Sequence, residues 1–391
     1  MTVLDIKTVL KSNNNDYIIK KHNGLYLIKY NKSSLNETNI QTLGLFRSVI
    51  TDGENILSFA PPKSINYNTF NVDNHFADSQ ISEFIDGTMI NVFYNGEWEL
   101  ATRSNIGANC RFNLNSKKTF REMFFEACVP EGTQPIEFLN KLNKEYSYSF
   151  VLQHPENRIV HKIDFPQLYL TNIYKCSNNT VEELDFLYDF TAISKEKFYI
   201  SDHIKYPRNI KEIFPNMTEW TYINLLCSGQ QTDFNLQGFV IYNENNERTK
   251  IRNIDYEIVK RLRGNSPKLQ FQFLELYKKN KLKEYLNYFP ENSNVFMQYQ
   301  NEFYKWTETF YNLYIDCFIE KKKQLKNCQY EFKPLLYELQ KHYFEELRPN
   351  NKKVNFTFMK EYVKTIPTKR LMFSINYKYK VSQNNDLTNQ G

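Results

Sequence analysis

The sequence predicts an α+β protein, with antiparallel hairpins in its first two thirds and an all-α C-terminal domain. Three observations carry this. Short β-rich runs meet at Asn-Gly and Asp-Gly turns in the N-terminal part of the 391 residues. After Gly264-Asn265-Ser266-Pro267, no glycine occurs until Gly391, and apolar spacings of three and four dominate. A hydrophobic content of 41% suffices for packed cores in a chain long enough for two domains. The boundary falls between residues 265 and 266.

Residues 1–22 are a polar, Asn-rich entry. Leu25–Tyr30 reads as a strand, followed by Leu45–Thr51 and Asn55–Phe59 around Asp52-Gly53. Pro61-Pro62-Lys63-Ser64 stops the last of these, because proline cannot donate to a ladder. Ile65–Asp78 reads as loop. A hairpin then turns at Asn95-Gly96, with one strand from Met89 and the other over Trp98–Thr102; a type I′ turn needs φ > 0 at both central residues. Trp98 alternates with Glu99 and reads as core.

Lys117–Ala127 and Pro135–Lys144 have helical composition. Strands are expected at Tyr146–Leu152, Arg158–Lys162 and Gln167–Tyr174, and a short helix near Val181–Leu187 inside a polar region reaching Gln231. Gly238–Asn243 and Thr249–Asn253 form another hairpin. The C-terminal helices are Lys268–Lys279, Val295–Lys322, Pro334–Glu346 and Phe356–Thr365, with Ser266 as an N-cap before Pro267.

Net charge is +6, unevenly spread: residues 266–391 hold 21 Lys and Arg against 13 Asp and Glu, the first 265 hold 29 against 31. A basic C-terminal domain fits a polyanion partner; a solvated helical surface is the plainer reading. Its candidates are Lys321, Lys322 and Lys323, Lys352 and Lys353, and Lys369 with Arg370, interleaved with Tyr362, Phe373, Tyr377 and Tyr379. Lys321–Lys323 also suits a helix C-terminus, where it offsets the dipole. Aromatics reach 16%; Lys, Asn, Ile and Tyr are abundant, as an AT-rich genome produces. The six cysteines show no Cys-x-x-Cys and the six histidines no metal spacing, so free thiols in a reducing compartment are expected and no metal site. No apolar run is long enough for a membrane span, and the N-terminus does not read as a signal peptide.

The order of several short motifs resembles the RNA ligase 1 family of T-even phages, the tRNA-repair ligases. They are Leu45-Phe46-Arg47-Ser48 through Asp52-Gly53-Glu54, Ala60-Pro61-Pro62-Lys63, Phe84-Ile85-Asp86-Gly87-Thr88, Arg103-Ser104, Ser149–Val160 with its Pro-x-Asn-Arg-Ile-Val tail, Leu236–Val240, and Lys250-Ile251-Arg252. The likeness covers roughly residues 25–263. It implies a lysine-dependent nucleotidyltransferase (ATP-grasp-like RNA ligase) domain, with ATP and Mg²⁺ as ligands where binding is retained, and RNA, tRNA included, as partner. It implies phosphate contacts at Arg47, Lys63, Asp86, Gly87, Arg103, Lys250 and Arg252.

The departures fall on chemistry. In the family the lysine of Lys-x-Asp-Gly attacks the α-phosphate of ATP; here Phe84 stands in its place. Val151 and Gln237 stand where glutamates are expected, and Arg252 replaces a lysine. Phenylalanine has no lone pair for a phosphoramidate, glutamine lacks the charge that holds a divalent ion, and valine accepts no hydrogen bond. The expected function is therefore a catalytically degenerate ligase that binds nucleotide or RNA ends. An active enzyme using a displaced lysine, Lys63 first and Lys29 second, is one alternative; a viral structural or interaction protein on a ligase scaffold is another. Analogy places the protein inside a virus-infected cell, cytoplasmic and not secreted. Asp86 reads equally as turn cap or functional group, His154 as a hydrogen-bonded residue before a base, and Glu83 as facing away from Phe84.

Overall fold

The computed structural model describes residues 1–113, 116–128, 134–184, 204–229 and 234–377. The chain divides into two compact units, Met1–Arg261 and Leu262–Gly391.

The described residues of the first unit form fifteen strands: β1 (Thr2–Val3), β2 (Tyr17–His22), β3 (Leu25–Tyr30), β4 (Val49–Thr51), β5 (Ile56–Phe59), β6 (Gln80–Glu83), β7 (Thr88–Asn95), β8 (Glu97–Thr102), β9 (Asn105–Ile106), β10 (Tyr146–Gln153), β11 (Gln167–Ser177), β12 (Thr180–Leu184), β13 (Ile204–Lys205), β14 (Gly238–Tyr242) and β15 (Arg248–Arg252). The large sheet runs β1-β12-β11-β10-β7-β8-β9, with β13 also on β11; the others run β2-β3-β4-β5 and β15-β14-β6. All pairings are antiparallel except that of β13 with β11.

The large sheet is covered on both faces, which is why β10 is buried over nearly its whole length. Ile90, Val92, Leu100, Tyr148, Phe150 and Leu152 pack with Met123 and Phe124 of helix Phe120–Cys128 and Phe138 and Leu139 of helix Pro135–Lys141. On the opposite face Phe93 and Ala101 meet Leu25, Leu27 and Ile50 of the four-stranded sheet. Alternation along β7 thus sends Ile90 and Val92 one way and Phe93 the other. Trp98 is buried in the first of these cores. The three-stranded sheet has its own core, where Ile81, Phe239 and Ile241 meet Phe70, Ile223 and Leu226.

Several sequence expectations are corrected. The Asn95-Gly96 turn is not type I′: Asn95 pairs with Glu97, and Gly96 alone takes positive φ, at 77°. Val181–Leu184 lies in β12, a strand, because β11 offers it a ladder; residues 185–187 of the expected helix lie outside the described residues. Arg158–Lys162 is no strand, since the N–H groups of Val160 and His161 donate to the Asp86 carboxylate instead of a neighbouring strand. The Ile65–Asp78 loop contains a helix, Tyr67–Asp73, capped by the Asn66 side chain. The polar entry holds β1, β2 and helix Ile6–Lys11, and the polar region before Gln231 holds helices Ile210–Ile213 and Trp220–Cys227. The strand expected from Leu45 starts at Val49, after a 3₁₀ turn over Leu43–Leu45.

Helix Ile254–Arg263 runs across the unit boundary. The second unit continues with helices Leu269–Lys278, Leu282–Tyr288, Ser293–Tyr314, Lys333–His342 and Phe356–Thr365, and residues 368–377 are helical. Leu282–Tyr288 was not expected. Ser266 is not the N-cap; its hydroxyl accepts from Lys268 N–H, and the helix starts after Lys268. Two helices end in π turns, Ile315–Ile319 and Tyr343–Leu347. The aromatic excess fills this unit: Trp306 stacks on Phe303 and Phe332, and Tyr285 on Phe289 and Phe296. Among the described residues no helix is long and apolar enough to cross a membrane.

Candidate functional site

The site assembles where the chain passes from β6 to β7, crossing from the three-stranded sheet to the large one through Phe84-Ile85-Asp86-Gly87. The crossing is pinned at both ends. Phe84 N–H donates to Gly238 O at 3.0 Å. Asp86, 4% exposed, accepts from Val160 N–H and His161 N–H at 3.0 Å each and from Tyr256 Oη at 2.7 Å. The Asp86 carboxylate is therefore held by three internal donors and clamps the crossing. Gly87 lies so close to β10 that a Cβ would sit 2.5 Å from Leu152 O and 2.6 Å from Val151. Gly238 is more constrained still: φ is +133°, and a Cβ would lie 2.1 Å from Ile251 O.

β15 supplies the charge. The sequence Arg-Thr-Lys-Ile-Arg alternates, so Arg248, Lys250 and Arg252 share one face while Ile251 packs on the core behind. Lys250 Nζ and the Arg252 guanidinium each stand 5.4 Å from the centroid of the Phe84 ring. The Pro61-Pro62 segment adds the rest: prolines have no N–H, but their carbonyls accept, Pro61 O from Arg47 and Pro62 O from Arg248, both at 3.2 Å. Lys63 Nζ donates to Ser64 O at 3.0 Å. Arg103 Nε donates to Arg47 O, and its guanidinium lies over the Tyr30 ring.

These cations repel one another. Burial, with Arg252, Arg248, Arg47 and Lys63 facing it, pushes the Lys250 ammonium down to about 6. Burial and the neighbouring Arg248 and Arg103 bring Arg47 down to about 10. Lys63 is lowered by burial, Arg47, Arg248 and Arg252. Glu257 enters the group, its Oε1 3.1 Å from Arg252 and 3.7 Å from Lys260, and Glu183 and Glu247 line a cavity of about 290 Å³ together with Lys63 and Arg248. The Arg248 and Arg252 Nε groups are buried with no acceptor.

Phe84, Val151, Met89, Asn172, Val240 and Arg248 line a cavity of only about 50 Å³. It shares Ser82, Glu83, Pro207 and Tyr242 with a larger one of about 510 Å³, walled by Tyr169, Lys205, Tyr206 and Arg208. The larger space lies within the usual range for small-molecule sites. Glu83 accepts both arms of the Arg208 fork, at 3.1 and 3.2 Å, and so is engaged away from the cations.

The residues do not fit a resident divalent ion. Val151 and Gln237 bring no charge, and Gln237 Oε1 is a buried neutral acceptor without a donor. Among the described residues no three His, Cys, Asp or Glu gather into a metal-sized group.

Of the residues singled out in the sequence, Arg47, Lys63, Phe84, Lys250 and Arg252 come together, and Arg103 joins at the edge. Gly87 serves close packing. His154 is a structural residue: Nδ1 accepts from Glu156 N–H, so Nε2 carries the proton and donates to Glu126 at 3.0 Å. Lys29 Nζ donates to Ser104 Oγ at 2.8 Å. In the second unit Lys321 ends the long helix with φ of 56°, Lys322 pairs with Glu320 and Arg370 with Glu338, each at 2.7 Å, and Lys352 and Lys353 are exposed, as is Lys369. Tyr379 lies outside the described residues. Arg248 was missed, although the period-two spacing with Lys250 and Arg252 marks it; Tyr256 and Glu257 give no such signal.

The fold and site define a mixed α+β protein in which cations of β15 gather with Arg47 and Lys63 beside the Phe84 ring. Its sequence is RNA-ligase-like over about a quarter of the chain: 31% identity over 100 residues to an RNA ligase of Rhodothermus phage RM378, covering 24% of this chain and 22% of the ligase. Homologs of the immediate-early protein ICP-46 also match. That of Invertebrate iridescent virus 6 is 25% identical over 278 residues, 66% of this chain and 57% of that protein; that of Invertebrate iridescent virus 3 is 20% identical over 201 residues, 51% and 40%. The chain thus spans less than two thirds of each of these curated relatives. No family model matches. Among solved structures, an archaeal ATP-dependent RNA ligase aligns at TM-score 0.40 and 12% identity, over 75% of this chain and 69% of that one. A Naegleria gruberi RNA ligase variant solved with ATP and Mn aligns at 0.35 and 14%, over 57% and 68%. Superpositions this loose say nothing about chemistry.

Proposed function

We propose that this chain is a degenerate RNA-ligase-like protein that binds a nucleotide through its phosphates, and phosphorylated RNA ends, in the cleft beside Phe84, without nucleotidyl transfer at residue 84. The observation that supports this most is the crowding of Arg47, Lys63, Arg248 and Arg252 around one buried amine, that of Lys250. Gathering like charges in a partly desolvated place is unfavourable, and a polyphosphate relieves both the repulsion and the unpaired N–H groups. The cavity beside Tyr169 and Tyr206 offers room for a base. Lys321, Lys322, Lys352, Lys353, Lys369 and Arg370 of the helical unit contact RNA backbone in this reading, with Lys352, Lys353 and Lys369 the freest to do so. The ligand set is ATP, with Mg²⁺ carried on its phosphates, and RNA, tRNA included, inside an infected cell.

Equilibrium binding of ATP and of 5′-phosphorylated RNA against its 5′-hydroxyl counterpart tests the reading, alongside thermal melting. Salt-dependent RNA binding that prefers the phosphorylated end, and a rise in melting temperature with ATP, are expected. If neither occurs, the chain is a scaffold protein without this ligand.

A further inference from the structure

We infer that Lys250 is a nucleophile: its amine stands over the Phe84 ring and takes the nucleotidyl group that residue 84 has no atom to hold. This rests on nucleotide binding in the cleft and goes beyond it.

The geometry singles out one amine. Phe84 is fixed by its N–H bond to Gly238 O, and Lys250 Nζ lies 5.4 Å from the ring centroid. Lys250 therefore reaches the neighbourhood of residue 84 from the opposite sheet edge, off β15 rather than off the β6–β7 crossing. The other two lysines in question are already donating, Lys63 to Ser64 O and Lys29 to Ser104 Oγ. Among the described residues no carboxylate lies within ion-pair distance of Lys250, while Arg248 and Arg252 flank it on its own strand and Arg47, just before β4, and Lys63, just after β5, add their charges. Burial and these four cations bring its ammonium to about 6, so that the lone pair is free at neutral pH. The three guanidiniums supply fixed positive charge where negative charge grows on the α-phosphate oxygens.

The step balances without a redox partner. The Nζ lone pair attacks the α-phosphorus of ATP and an N–P bond forms. The bond from the α-phosphorus to the bridging oxygen breaks, and pyrophosphate leaves with that electron pair. The extra proton on nitrogen passes to water, leaving on Lys250 a phosphoramidate whose nitrogen is uncharged and whose phosphoryl group keeps one negative charge.

The test uses the full chain with α-³²P-labelled ATP and Mg²⁺ or Mn²⁺, quenched and run on a denaturing gel, with peptide mass spectrometry of the labelled protein. The expected result is an acid-labile AMP adduct mapped to Lys250, lost in Lys250→Arg and Lys250→Met and kept in Lys29→Arg. Labelling by the wild type should hold from neutral pH down to about 6 and fall below it, as the amine gains its proton. Melting curves of each variant separate loss of the adduct from loss of folding. An adduct on any other lysine overturns the assignment. So does an unlabelled wild type whose melting temperature still rises with ATP, and there the binding reading survives. An unlabelled protein that ATP does not stabilise removes both.

Discussion

Replacing Lys250 by methionine should stabilise the folded chain while weakening its hold on phosphate. The Lys250 ammonium is brought from 10.5 to about 6 by burial and by Arg252, Arg248, Arg47 and Lys63. At pH 7 the unfolded chain keeps a proton on this amine that the folded chain has released. The gap of about 3.5 pH units between neutrality and the ordinary lysine value corresponds to roughly 4–5 kcal/mol, at about 1.36 kcal/mol per unit. Methionine keeps most of the stem and carries no charge, so much of this is recovered: on the order of 3–5 kcal/mol, or about 10 °C in the melting of a unit of this size. The sign with pH follows from the lowered folded value. Wild-type stability rises as pH climbs from about 6 towards 10.5. The advantage of Lys250→Met is therefore largest below about pH 6, shrinks through that window and vanishes above it. Urea unfolding of both proteins at several pH values across the window, without ligand, measures the gap directly. A variant less stable than wild type at neutral pH, or a gap independent of pH, refutes the account of a charge-strained cleft.

Tyr256→Phe removes the 2.7 Å donor to the buried Asp86 carboxylate and should cost about 1.5–3 kcal/mol in urea unfolding. Gly238→Ala drives a Cβ into Ile251 O at a φ that alanine avoids, and the N-terminal unit should lose roughly 3–5 kcal/mol, read as loss of soluble, cooperatively melting protein. Arg248→Ala should weaken ATP and 5′-phosphorylated RNA by roughly tenfold or more and lower the salt slope of RNA binding by about 0.7; an unchanged slope places the phosphates elsewhere. Arg370→Ala should change stability by less than about 0.5 kcal/mol in urea unfolding, because its partner Glu338 is half in solvent.

Legibility followed range. Leu25–Tyr30 and Phe356–Thr365 have the bounds expected of them, and the strands on either side of Gly96 lie within a residue or so of expectation, because side-chain period and turn residues act between neighbours. Arg158–Lys162 failed for the opposite reason: its apolar and basic texture suits a strand, but its N–H groups are taken by Asp86, more than seventy residues earlier. Val181–Leu184 has a composition that fits helix or strand, and the edge of β11 decided it. The loss of the three family side chains at Phe84, Val151 and Gln237 was plain from residue identity. So were most of the cations, with Arg248 hidden only because it reads as the end of a loop.

Residue identity and short-range periodicity were thus enough for the hairpins, the helical second half and the absence of a nucleophile at position 84. They could not assign Asp86 to an internal clamp or Lys250 to a neutral amine. Those properties are fixed by water exclusion and by Coulomb fields from Arg47 and Lys63, some two hundred residues away along the chain, and such groups meet only once three sheets have packed around the crossing from β6 to β7.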